Sequence, residues 1–119
     1  MSGSGYLTTH ILDTARGCPA AGVPIELYRL EGDCRELVGR AVSNSDGRTD
    51  EAILPTGHLS AGNYELQFAV GAYFNALNDG AAFPFVDIIP IRFGIDDPNQ
   101  HYHVPLLVSP FSFSTYRGS

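Results

Sequence analysis

The sequence contains no tryptophan, two cysteines and only seven lysines and arginines among 119 residues, and its formal net charge is −6. Because a nucleic-acid-binding surface needs clustered cations, this balance argues against nucleic acid as a partner. Cys18 and Cys34 are too few for a disulfide scaffold, and neither has metal-ligand spacing with a histidine. The cysteine pattern therefore predicts neither a structural disulfide nor a zinc site.

Long apolar runs are absent as well. No segment approaches the roughly 20 apolar residues that a membrane-spanning helix needs. The first five residues lack the basic and apolar regions of a signal peptide. We therefore expect a cytoplasmic protein with no membrane partner. Since 44% of the residues are apolar, the chain can build one core, and we expect a flexible N-terminus over residues 1–5 and a single domain over residues 6–119.

The chain is rich in short strand-like segments separated by turn residues, with 13 glycines and eight prolines. Residues 25–30 alternate at the period of a half-buried strand, and Tyr64, Leu66 and Phe68 share one face of another. Pro90 indicates an edge strand or a bulge. Residues 71–78 are the only plausible helix. The expected strands, about eight in number and therefore typical of a β-sandwich, are residues 6–12, 25–30, 37–43, 52–54, 63–70, 85–95, 101–108 and 111–116.

Histidines on strand faces are the first candidates for chemistry. Strand alternation places His101 and His103 on one face. Two histidines at this spacing could ligate a metal, but a third ligand at a fixed spacing is missing, and a surface histidine beside a satisfied interior one is the structural interpretation. His10 lies within the first strand, with Thr8 and Leu12 on its face. A single histidine on a strand is more often structural than catalytic.

An arginine and the final residues complete the candidates. Arg48 follows the Asp46-Gly47 turn, and the last strand runs almost to Ser119. We expect the terminal α-carboxylate to be available to a site built there. The sequence has no nucleophile elbow and no phosphate-binding loop. The residues alone thus predict an all-β domain with histidine and arginine for acid–base and oxyanion chemistry.

Several motifs occur in an order that resembles one known family. Residues 7–14 read Leu-Thr-Thr-His-Ile-Leu-Asp-Thr, residues 46–48 read Asp-Gly-Arg, and residues 101–107 read His-Tyr-His-Val-Pro-Leu-Leu. The chain closes with Tyr-Arg-Gly-Ser at residues 116–119, and shorter matches lie at residues 17–24, 71–74 and 83–84. Together these motifs resemble the transthyretin-like 5-hydroxyisourate hydrolases over nearly the whole chain.

The resemblance implies a transthyretin-like (prealbumin-like) eight-stranded β-sandwich with one short helix. It also implies a catalytic set of His10, Arg48, His103 and Ser119, with no metal and no cofactor. Transthyretin shares the fold but has lysine, glutamate and threonine where this sequence has the first three of these residues, and it lacks the Tyr-Arg-Gly-Ser end. All four discriminating positions therefore match the enzymes.

The resemblance further implies a homotetramer, a dimer of dimers, with a channel between the dimers. It assigns seven further residues to the substrate site or the channel wall: Leu12, Pro105, Leu107, Ser114, Tyr116, Arg117 and Gly118. Phe111, Ser112 and Phe113 replace a usual Tyr-Gly-Tyr, which leaves their effect on substrate preference open.

The activity implied is hydrolysis of 5-hydroxyisourate to 2-oxo-4-hydroxy-4-carboxy-5-ureidoimidazoline in urate degradation. Water attacks a ring carbonyl, so the site needs a base, an oxyanion donor and an acid for the leaving nitrogen. Histidine suits both proton transfers, and Arg48 suits anchoring and charge stabilisation. Which histidine is the base stays open. Two other interpretations remain: a transthyretin-like small-molecule binding protein without catalysis, and a purely structural β-sandwich.

Overall fold

The computed structural model describes residues 3–77 and 82–118. Within this part the chain forms ten strands and one helix. They are, in chain order, β1 (Tyr6–Thr8), β2 (Ile11–Asp13), β3 (Cys18–Pro19), β4 (Pro24–Glu31), β5 (Cys34–Val42), β6 (Gly62–Ala69), α1 (Val70–Ala76), β7 (Ile88–Ile95), β8 (His101–His103), β9 (Leu106–Val108) and β10 (Phe113–Ser114). The helix is too short to cross a membrane, and no helix in the described ranges could do so.

Two layers of strands enclose the core. One four-stranded sheet has the order β5-β4-β6-β7, and another has the order β10-β9-β2-β3. The parallel pair β1-β8 continues the second layer, because β1 leads into β2 and β8 leads into β9. The predicted all-β sandwich with one short helix is confirmed.

The core is built from the alternating residues of both layers. Ile25 and Leu27 on β4 are fully buried and face Phe68 and Leu66 across the antiparallel pair with β6. Ile11 of the other layer belongs to the same buried cluster. Each fully buried side chain of this size contributes about 1.5–3 kcal/mol of hydrophobic free energy. The shared face of Tyr64, Leu66 and Phe68 is confirmed as a core face.

Two predicted strands are each divided in two. Residues 6–12 form β1 and β2, and residues 101–108 form β8 and β9. The interruptions lie side by side, where Val104 N donates to Thr8 O at 3.0 Å and Leu106 N donates to His10 O at 2.8 Å. Pro105 has no N–H to donate between these two bonds, which explains the break in the ladder.

Other bounds differ in extent. The strand predicted at residues 37–43 begins earlier, at Cys34, and the strand predicted at residues 85–95 begins later, at Ile88. Residues 52–54 contribute only an isolated bridge between Leu54 and Leu7. The last predicted strand shortens to β10 because Ser109 organises a turn, in which its Oγ accepts from Phe111 N at 3.2 Å. Pro90 lies on β7, the edge strand of its sheet, as predicted. The end of the predicted helix at Asn78 lies outside the described residues.

The first described residues contact the loop before β8. Gly5 N donates to Pro98 O at 2.8 Å, and Ser4 N donates to Asn99 Oδ1 at 3.2 Å. These bonds lead the chain into β1 beside β8.

Candidate active site

The parallel pairing of β1 with β8 joins the two ends of the sequence. Tyr6 is aligned with His101, and Thr8 is aligned with His103. Tyr102, which lies between the histidines, points the other way and is buried at 4% exposure. The expected common face of His101 and His103 is therefore present, and residues of β1 share it.

Thr8 connects the two histidines on this face. Its Oγ1 lies 2.6 Å from His101 Nε2 and 2.8 Å from His103 Nδ1. Tyr6 stacks on His101, with ring centroids 4.2 Å apart and planes inclined by 11°. Both rings are thus held from the β1 side.

A tight turn carries Arg48 to the same place. Asn44 Oδ1 accepts from Asp46 N at 2.9 Å and from Arg48 N at 3.1 Å. Gly47 has a φ of 75°, a left-handed conformation that suits glycine, and its carbonyl accepts from Ile11 N at 2.7 Å. The Asp-Gly turn predicted from the sequence is present and is docked against the start of β2.

His10 contacts the same turn. Its Nε2 lies 2.8 Å from Asp46 O. A carbonyl oxygen can only accept, so His10 Nε2 carries the hydrogen of this bond. In neutral His10 the lone pair therefore resides on Nδ1. His10 lies beside the pocket wall, in the connection from β1 to β2.

These elements surround an open pocket of about 450 Å³. Both basic and acidic side chains line it, so it offers donors and acceptors to a polar ligand. The lining residues are Tyr6, Thr8, Thr9, Arg48, Thr49, Asp50, Glu51, Ala52, His101 and His103.

The surroundings of His103 favour the neutral form of its ring. Burial lowers its pKa below the ordinary imidazole value, and the charges of Arg48, His101 and His10 lower it further. Gly118 covers the ring, because Gly118 N donates to His103 O at 2.7 Å and a Cβ on Gly118 would lie 2.8 Å from His103 Cδ2. A neutral imidazole near pH 7 follows from these surroundings.

Three of the expected channel residues are neighbours across one sheet. Leu12 is aligned with Leu107, and Leu107 is aligned with Ser114. Both leucines are half-buried and Ser114 is exposed, so the three form a partly apolar strip on the outer face of the second layer.

The remaining residues expected in the channel lie in different places. Pro105 is buried, and its carbonyl accepts from Thr115 Oγ1 at 2.6 Å. Arg117 lies over the Tyr102 ring, 4.4 Å from its centroid, and donates to Gln100 Oε1 at 2.6 Å. Tyr116 and Arg117 line a separate depression of about 210 Å³ and do not line the histidine pocket. Ser119 lies outside the described residues.

Sequence reasoning gave no role to Tyr6, Thr8, Asp50 and Glu51, which line the pocket. The alternation of Tyr6, Thr8 and His10 could have identified the first two. The acidic pair has no periodic signal beyond its closeness to Arg48. Within residues 3–77 and 82–118, no three His, Cys, Asp or Glu side chains cluster as metal ligands.

Comparison with known proteins identifies relatives over the full chain. The model of the HIUase/Transthyretin family matches residues 7–118. The 5-hydroxyisourate hydrolase of Deinococcus radiodurans is 54% identical over 119 residues, covering 100% of both chains. Among solved structures, Klebsiella pneumoniae 5-hydroxyisourate hydrolase has a TM-score of 0.80 and 39% identity, covering 100% of both chains.

A crystal structure of (S)-allantoin synthase superposes with a TM-score of 0.92 at 50% identity. It covers 99% of this chain, whereas this chain spans 45% of the synthase chain. Sequence and structure thus both match relatives over the full chain, and the chain belongs to the HIUase/Transthyretin family.

Proposed function

We propose that this protein hydrolyses 5-hydroxyisourate to 2-oxo-4-hydroxy-4-carboxy-5-ureidoimidazoline in urate degradation. The observation that carries the proposal is the meeting of His103 and Arg48 in one pocket, with His10 beside it. The 54% identity to a 5-hydroxyisourate hydrolase over the full chain supports the same reaction. We also propose that residues 6–119 act as one transthyretin-like domain.

The proposed catalytic residues are His10, Arg48, His103 and Ser119. A neutral imidazole accepts a proton from water as the water attacks a ring carbonyl. Arg48, permanently charged, stabilises the oxyanion and anchors the planar, oxygen-rich ring. The leaving nitrogen then takes a proton from an imidazolium. The reaction needs no covalent intermediate.

We propose that seven further residues form the substrate channel. Those that line or support it are Leu12, Pro105, Leu107, Ser114 and Gly118. Tyr116 and Arg117 lie at its wall in the assembled protein. Within one chain the last two line a depression separate from the pocket of the histidines, so we assign them to a surface shared between subunits.

We propose a homotetramer built as a dimer of dimers. Large apolar side chains remain open to solvent near the C-terminal strand, with Phe111 at 76%, Tyr116 at 60% and Phe113 at 48% exposure. Several large exposed apolar side chains near one strand support a protein–protein interface there. Light scattering at micromolar concentration should give four times the chain mass, and a monomer would contradict the assembly.

A cytoplasmic location is part of the proposal. Cys18 and Cys34 are both exposed and unpaired. Free thiols on the surface suit a reducing compartment, where disulfides are rare.

The hydrolase assignment is tested by an ultraviolet assay. Urate oxidase generates 5-hydroxyisourate in the cuvette, and its absorbance decay is followed with and without the protein. The expected result is faster decay in proportion to protein concentration. Saturable binding without faster decay would favour a transthyretin-like binding protein instead.

A further inference from the structure

One threonine hydroxyl lies between the two histidines of β8. Thr8 Oγ1 is within hydrogen-bond distance of His101 Nε2, at 2.6 Å, and of His103 Nδ1, at 2.8 Å. The hydroxyl thus contacts the Nε2 atom of one ring and the Nδ1 atom of the other. His103 Nε2 has no hydrogen-bond partner within the described residues, and the ring lines the pocket.

A hydroxyl has a single proton, which couples the two rings. Thr8 can donate its hydrogen to only one of the two nitrogens. At least one of the two nitrogens must therefore carry a hydrogen and donate it to the Thr8 oxygen. If His101 Nε2 accepts, His103 Nδ1 carries a hydrogen and His103 Nε2 keeps its lone pair. If His103 Nδ1 accepts, His103 Nε2 carries the hydrogen instead. The state of His101 thus decides what His103 presents to the pocket.

We propose that Thr8 is a positioning residue that links His103 to His101, and that its hydroxyl accepts from His103 Nδ1 and donates to His101 Nε2. This inference rests on the proposed hydrolysis, since it names His103 Nε2 as the atom that takes the proton from water. His101 thereby acts on His103 through Thr8.

The proton step is balanced. Water gives one proton to His103 Nε2 and its hydroxide adds to the ring carbonyl. His103 is then an imidazolium with hydrogen on both nitrogens, and Thr8 Oγ1 accepts from its Nδ1. The Nε2 proton passes to the leaving nitrogen as the ring C–N bond breaks, which leaves His103 neutral with its hydrogen on Nδ1 and the lone pair on Nε2.

His101 fixes the direction of the Thr8 hydroxyl. Its ring is half-exposed and stacked on Tyr6, and its Nε2 accepts the single Thr8 proton. The lone pairs of Thr8 Oγ1 are therefore left to accept from His103 Nδ1.

Several titratable and charged groups surround His103. The burial of His103 and the charge of Arg48 keep its pKa low, so the ring is neutral near pH 7 before water attacks. The surrounding titratable and charged groups are Tyr6 on β1, His10 between β1 and β2, Arg48, Asp50 and Glu51 on the loop after β5, and His101 on the same strand.

The kinetic test compares two Thr8 variants. Thr8→Val keeps the shape but removes the hydroxyl, and it should lower kcat about tenfold to a hundredfold while KM changes little. This is less than the roughly 10²–10⁴-fold effect of losing an acid or base, because Thr8 acts through His103. The acid limb of kcat/KM should move to lower pH, because the imidazolium loses the oxygen that accepts from Nδ1. Thr8→Ser keeps a hydroxyl and should restore both values. Thr14→Val is the matched control, since the Thr14 hydroxyl only contacts Val108 O, at 3.1 Å, at the far end of β2.

A spectroscopic test separates this inference from the proposed function. Long-range proton–nitrogen correlation spectra of the intact wild-type protein report which imidazole nitrogen carries hydrogen. His103 should be found with hydrogen on Nδ1 above its pKa, and Thr8→Val should shift it toward hydrogen on Nε2. Hydrogen on Nε2 in the wild type, or unchanged kcat and pH profile in Thr8→Val, would overturn the proposed link through Thr8. Absence of hydrolysis in the wild type would overturn the proposed function and leave the spectra to decide the coupling.

Discussion

Gly118 packs against His103 so closely that a Cβ on Gly118 would lie 2.8 Å from His103 Cδ2. The same glycine donates its N–H to His103 O at 2.7 Å. The C-terminal segment therefore sets the position of the imidazole from behind, while Thr8 holds it from the side.

Gly118→Ala should displace the His103 ring or the strand end that covers it. We expect kcat to fall at least about tenfold, since small displacements of a reacting group can cost on the order of a hundredfold. Gly94→Ala, on β7 where a Cβ would lie at an ordinary 3.5 Å from Asn63 Oδ1, controls for a general loss of glycine. Equal activity of wild type and Gly118→Ala would show that this contact does not position the ring.

Alanine substitutions should separate the proposed catalytic residues from their neighbour. His10→Ala and His103→Ala should each lower kcat about 10²–10⁴-fold, and Arg48→Ala roughly 10²–10³-fold. His101→Ala should cost at most about tenfold, or ~1.4 kcal/mol of barrier, because His101 acts through Thr8. Steady-state kinetics on folded tetramers measure these differences.

Deleting Ser119 tests the proposed role of the last residue. The deletion removes a hydroxyl and moves the α-carboxylate by about 3.3 Å if the backbone is extended. Activity should fall sharply while the melting temperature stays the same. If the deletion and all three alanine variants kept near-full activity, the proposed site would be wrong.

The pH dependence should reflect the low pKa of His103. Burial first, and then the charge of Arg48, lowers that pKa below the ordinary value of about 6.5. A base with a lowered pKa stays neutral at lower pH, so the acid limb of the kcat/KM profile should lie below about pH 6.5. A limb at or above that pH would assign the base to another group.

The low pKa of His103 should also make the stability of the fold depend on pH. Unfolded His103 binds a proton at about pH 6.5, whereas folded His103 binds it only at lower pH. The unfolded state therefore holds more protons between these two values, and the free energy of unfolding should decrease as pH falls through this window. Urea titrations of wild type and His103→Gln at pH 7.5 and pH 5.5 should show a smaller decrease in the variant.

Activity should survive exhaustive chelation. His101 and His103 are held by Thr8, and no third ligand joins them within the described residues. Opening of the ring amide needs only acid–base help and a charge donor. A large loss of activity that zinc restores would show that the two histidines bind metal.

Local patterns predicted much of the fold, and their limits have physical causes. The alternation in β4 and β6 identified core strands because each presents one face to the core. The divisions between β1 and β2, and between β8 and β9, arise from the pairing of two segments far apart in sequence. No local pattern contains that pairing, although Pro105 marks one of the two breaks.

The histidines and Arg48 were recognised by resemblance to a family, since each has an ordinary structural interpretation when taken singly. Thr8 was noted only for sharing the face of His10. Its contacts with His101 and His103 depend on the parallel register of β1 with β8. Alternation could not predict where the side chains of Tyr116 and Arg117 lie, because residues 115–117 belong to no strand.

The parallel pair β1-β8 has a kinetic consequence, since Thr8 and His103 are separated by 95 positions in the chain. Loop-closure entropy makes contacts of high sequence separation form slowly. The sheet β5-β4-β6-β7 contains a hairpin between β4 and β5 and can form from nearby segments. On dilution from denaturant, catalytic activity should therefore return later than the first sheet signal.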